Sequence, residues 1–190
     1  DPKIILKGYS DKVEIITKDK TQTIQTTDPF AELKKLLGKY DDQRYRYLGG
    51  AVGVVNYDAV RLVEDIDDAN ETSEPLMEFG IYDDGIIYDN VHKKLFYFYH
   101  DENRFDKLIM NEDTFGDFKS SEVIPNMDKD KFSNIVNKAK KYIHDGDIFQ
   151  VVLSRKFAFD VTGDNLTLYK TLRKLNPSPY MYHLKQDTKT

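Results

Sequence analysis

The sequence predicts an α+β protein, with antiparallel sheets and helices packed outside them. Two observations carry this reading. Short β-rich runs come in pairs joined by tight turns, as in "KIILKGYSDKVEIITK" and "YDDGIIYDNVHKKLFYFY"; a tight turn joins antiparallel strands, whereas parallel strands need a long crossover. The second half alternates helix and strand, but without the regularity of a parallel sheet.

The elements follow in order. "KIILKGY", "DKVEIITK" and "TQTIQTT" read as strands, with "GYSDK" as a hairpin turn. Asp28 then suits a helix N-cap and Pro29 the first helical position. Phe30, Leu33, Leu36 and Leu37 form that helix's apolar face, and Gly38 stops it. In "YLGGAVGVVNYDAVRLVEDI", Gly49, Gly50 and Gly53 lie in a β-rich run. Their spacing matches neither phosphate-loop pattern, so close backbone packing or a bulge explains them. "YDAVRLVE" reads as a short helix with Tyr57, Arg61 and Glu64 near one another. Residues 65–75 are a polar, acidic loop without calcium-loop spacing, and 101–127 read as an irregular linker.

The clearest helix follows. Phe132, Ile135, Val136, Ala139, Tyr142 and Ile143 fall on one stripe. Asp128 or Asp130 can cap its start, and Gly146 suits the left-handed residue that ends it. A strand over roughly 147–159 comes next. Its apolar content predicts that Phe132, Ile135, Val136, Ala139, Ile143, Val151 and Leu153 are buried together. A last helix starts near Leu166, with Leu168, Tyr169, Leu172 and Leu175 on one face. It ends at "NPSPYMYHL", where two prolines force extended chain into a further strand.

The totals exclude several functions. Of the 190 residues, 39% are hydrophobic and 32% charged, which is a soluble globular composition. No apolar run approaches the roughly 18 residues of a membrane span. The first residues read as strand and not as a secretory leader. The formal net charge of -5 opposes general nucleic-acid binding. Cysteine is absent, which excludes disulfides and thiolate chemistry within the chain and makes a reducing cytoplasm the simplest setting. His92, His100, His144 and His183 are scattered without metal-ligand spacing and read as surface or structural.

One side chain stands out. In "DGDIFQVVLS", Gln150 is the single amide among Ile148, Phe149, Val151, Val152 and Leu153. Period two sorts Phe149, Val151, Leu153, Phe157 and Phe159 onto a core face, with Arg155 interrupting. Ile148, Gln150, Val152, Ser154 and Lys156 form the other, wetter face. An amide there either bonds a neighbouring loop or lines a pocket.

"YIHDGDIFQVVLSRKF" resembles the signature of component I of the anthranilate synthases, within the chorismate-utilising enzyme family. Three further stretches agree in the same order: "GGAVGVVNYDAVRLVE", "YDDGIIYDNVHKKLF" and "LNPSPYMYHL". Val54 departs from that pattern, where the family usually has tyrosine. The family's N-terminal Leu-Leu-Glu-Ser segment has no counterpart, and the sequence stops at "LKQDTKT", ahead of the family's C-terminal catalytic half. The resemblance thus implies a fragment: an N-terminal region over 1–127 and the start of the chorismate-binding region over 128–190.

The resemblance also implies a chemistry. Chorismate and ammonia, the latter from a glutamine amidotransferase subunit, would give anthranilate and pyruvate in tryptophan synthesis. Magnesium would be needed, with its ligands outside this chain. Siblings that add water carry lysine where this sequence has Gln150, so Gln150 is the catalytic candidate, positioning ammonia. Asn176, Pro177, Ser178, Pro179, Tyr180 and Met181 would form part of a feedback site for tryptophan. Two alternatives stay open: aminodeoxychorismate synthase component I, and a tryptophan-binding regulatory module without catalysis.

Overall fold

A computed structural model of the chain describes residues 2–38, 45, 47–66, 73–108 and 116–185. It forms two compact units, Asp1–Met110 and Asn111–Thr190.

In the first unit, β1 (Ile4–Gly8), β2 (Lys12–Ile16) and β3 (Thr21–Gln25) form an antiparallel meander. The Tyr9 amide closes the first turn by donating to the Lys12 carbonyl at 2.8 Å. α1 (Pro29–Leu36) follows, then β4 (Gly50–Val55), a tight 3₁₀ turn at Tyr57–Leu62, and β5 (Met77–Tyr82). The five strands make one sheet in the order β3-β2-β1-β5-β4, with antiparallel neighbours throughout. A separate hairpin pairs β6 (Asp84–Asp89) with β7 (Lys94–Tyr99). The α+β class and the antiparallel sheets therefore hold.

Alternation decides the core. Leu6, Met77 and Ile81 come from one sheet face and meet Leu33 of α1, with Ile4, Ile15, Leu36, Ala51 and Phe79 around them. Asp28 caps α1 as expected, accepting from the Ala31 amide at 2.9 Å. The helix is only two turns long, so Leu37 lies past its end and is exposed, as is Phe30. Gly53 of β4 serves the sheet. A Cβ on Gly53 would lie 2.0 Å from the Glu78 carbonyl oxygen, so only hydrogen fits there. The segment after β4 is a 3₁₀ turn in which Arg61 pairs with Asp58 at 3.4 Å, while Tyr57 turns to solvent.

The β6–β7 turn is held by Asp89. Its carboxylate accepts from the Val91 and His92 amides at 2.8 and 3.0 Å and meets His92 Nδ1 at 2.7 Å. The imidazole contact first, then those amides, hold the carboxyl down from 3.8 to about 2. A lowered carboxylate pKa contributes stability that is present above the unfolded value and lost as pH falls through the folded one. The turn is thus expected to loosen between pH 3.8 and about 2. Carbon-detected NMR titration of Asp89 checks this. In His92→Ala the midpoint rises toward 3.8; an unmoved midpoint would contradict the assignment.

The second unit holds two short antiparallel pairings. β8 (Phe118–Ser120) pairs with β11 (Val161–Gly163), and β9 (Ile124–Pro125) with β10 (Phe157–Ala158). Within the stretch read as linker, 118–120 and 124–125 are therefore paired strands, and 109–115 lie outside the described residues. These strands are only two and three residues long, too short to show an alternating pattern. α2 (Lys129–Asp145) connects β9 to the return limb, and α3 (Asn165–Leu175) follows β11. Of the two possible caps for α2, Asp128 serves, accepting from the Lys131 amide at 2.7 Å. Gly146 ends the helix with φ 85°, and the Asp147 amide donates back to the Tyr142 carbonyl at 3.0 Å. Asp128→Ala is expected to cost about 1 kcal/mol and to fray the first turn, with Asp130→Ala costing less. Hydrogen exchange of the first-turn amides would show it, and equal effects would reject Asp128 as the cap.

Two expectations fail here. The strand over 147–159 shrinks to Phe157–Ala158, and the cluster around α2 is not buried. Phe132, Ile135, Val136, Ala139 and Leu153 are half-buried, while Ile143 and Val151 are exposed. No described residue of the second unit is buried. The physical reason is pairing: a strand exists only with a ladder partner, and an apolar stripe is covered only by a facing surface.

Candidate functional site

The candidate site is the return limb from α2 to β10, which carries Gln150. The Gly146 reversal fixes its start. Its end is tied to the chain just ahead of α2. The Asn126 amide donates to the Lys156 carbonyl at 2.9 Å, and the Lys156 amide to Asn126 Oδ1 at 3.0 Å. Arg155 Nε donates to the Met127 carbonyl at 2.9 Å, and its guanidinium stands 4.8 Å from the centre of the Phe157 ring. The one charge interrupting the apolar face thus anchors the limb, with the ring as support.

Between these anchors the chain has no regular structure. Phe149 is 95% exposed, and Val151, Phe157 and Phe159 are exposed as well, so the face expected to enter a core does not do so. Gln150 is exposed as well. It has no hydrogen-bond partner among the described residues, so it is not a buried amide. Its donors and acceptor are open to whatever approaches.

The second group lies at the end of α3. Asp164 caps that helix, accepting from the Leu166 amide at 3.0 Å and the Thr167 hydroxyl at 3.1 Å. The Leu166 amide in particular lowers the Asp164 pKa. At the other end the Asn176 amide donates to the Leu172 carbonyl at 2.9 Å. Pro177, Ser178 and Pro179 then run exposed and irregular; Tyr180 is 88% exposed and Met181 half-buried. The strand expected after the prolines is absent from 181–185, where His183 instead meets the Tyr169 ring at 5.7 Å. No hydrogen bond, ion pair or ring contact among the described residues joins Gln150 to 176–181.

A different constellation escaped sequence reasoning. In the first unit Glu14, Lys7 and Glu78 stand side by side across β2, β1 and β5. Glu78 is only 6% exposed. Its Oε2 lies 3.6 Å from Lys7 Nζ, and its Oε1 has no hydrogen-bond partner among the described residues. Glu14 has its own cation, Lys12, at 2.7 Å, which holds its carboxyl below the usual range. The signal was in the sequence: in "IILKG", "VEII" and "LMEFG" Lys7, Glu14 and Glu78 are each the one charge among apolar residues. Such isolated charges mark one face of a sheet.

Among the described residues, no group of three or more His, Asp or Glu could hold a metal ion. They do not fit a magnesium site. No helix among them is long and apolar enough to cross a membrane.

Known proteins match this architecture. The model of the family described as chorismate binding enzyme matches residues 2–190. Anthranilate synthase component 1 of Methanothermobacter thermautotrophicus is 31% identical over 188 residues, covering 97% of this chain and 40% of that protein. The Saccharolobus solfataricus protein of the same name is 39% identical over 153 residues, 75% of this chain and 33% of that one. The crystal structure of anthranilate synthase component I from Streptococcus pneumoniae superposes with a TM-score of 0.70 at 26% identity, covering 96% of this chain and 45% of that chain. The chain spans about 40% of the length of the first of these relatives. With a family match running from residue 2 to residue 190, the chain belongs to the chorismate-binding enzyme family.

Proposed function

We propose that the chain serves component I of an anthranilate synthase, which turns chorismate and ammonia into anthranilate and pyruvate. The observation that carries the reading is Gln150: a neutral amide, open to solvent, on the limb that follows α2, in a member of a chorismate-binding family. A neutral amide can donate to chorismate oxygens and accept from ammonia at once. Ammonia is already a nucleophile, so it needs placement more than a base. Residues 1–127 would form an N-terminal region and 128–190 the start of the chorismate-binding region.

Ammonia would come from a glutamine amidotransferase partner in the cytoplasm. The magnesium ion expected for a dicarboxylate substrate would be held by groups other than the described residues. Tryptophan would inhibit through Asn176, Pro177, Ser178, Pro179, Tyr180 and Met181. Support for that comes from the exposed Tyr180 ring beside a proline-stiffened turn, which is a ready stacking surface.

The test is an assay of the gene product that carries this sequence. Chorismate and ammonium salt should give anthranilate, followed by its fluorescence, and tryptophan should inhibit. Tyr180→Ala should weaken the inhibition about tenfold, as expected for one lost aromatic contact, and spare uninhibited turnover. Formation of aminodeoxychorismate or isochorismate in place of anthranilate would overturn the assignment.

A further inference from the structure

We draw no further inference here: the strongest candidate, the apolar stripe of α2 (Phe132, Ile135, Val136, Ala139, Tyr142 and Ile143) with the exposed limb 148–154 beyond it, is an unpartnered face, and nothing in the structure shows what covers it.

Discussion

With lysine in place of Gln150, ammonia-dependent anthranilate formation by the gene product should fall roughly ten- to a hundredfold in turnover, while the Michaelis constant for chorismate stays nearly unchanged. The expected loss is that of one well-placed hydrogen bond in the transition state, about 1.5–3 kcal/mol. A charged ammonium has three donors and no acceptor, so it cannot hold ammonia through one of ammonia's hydrogens as an amide oxygen can. Where the lysine is neutral it can act as a base toward water, and traces of isochorismate would report that. Protein stability separates this from a folding defect. Gln150 is exposed and unbonded within the described chain, so Gln150→Lys should leave unfolding within about 0.5 kcal/mol of the parent. Steady-state kinetics with ammonium salt decides the matter. An unchanged turnover number, with only the chorismate Michaelis constant altered, would remove Gln150 from the chemistry.

The second large effect belongs to the first unit. Lys7→Met should destabilise it by about 2–4 kcal/mol, because the change strands a buried carboxylate. The Lys7 side chain is 22% exposed, and the Glu78 side chain 8%. Methionine keeps the apolar stem but removes the only cation within 4 Å of Glu78 among the described residues. Glu14 keeps a cation when Lys7 is lost, since Lys12 stands 2.7 Å away. The double variant Lys7→Met/Glu78→Gln should recover most of the loss, because a neutral amide needs no counter-charge. Hydrogen exchange of the β1 and β5 amides would follow this unit by itself. A single variant within 0.5 kcal/mol of the parent, or a double variant no better than the single, would show that the pair carries little energy.

Where a signal is local, residues and structure agree. The meander β1–β3 rests on alternation and tight turns, and its register follows from its own hairpins. Asp28, Asp128 and Gly146 act at helix ends where their types predict, because a cap bonds groups within one turn. The glycine run reads correctly as sheet packing for the same reason: no phosphate-binding spacing is present.

Where an outcome depends on distant segments, the residues were silent or misleading. Period two made 147–159 look like a strand, yet pairing forms only where β9 stands opposite. The stripe on α2 located the helix to within a residue or two but could not say what would face it. Residues 116–127 looked like linker because their strands are too short to alternate.

By itself the sequence determined the antiparallel α+β class and the helix caps Asp28, Asp128 and Gly146, which are carried by residue type and short-range spacing. Its resemblance to known motifs gave the family and the candidate residues Gln150 and 176–181. Only the tertiary structure decided that Glu78 is buried against Lys7, that Gln150 stands in solvent, and that the second unit has no buried residue among those described. Burial is a relation between segments far apart in the chain, and no local pattern contains the partner.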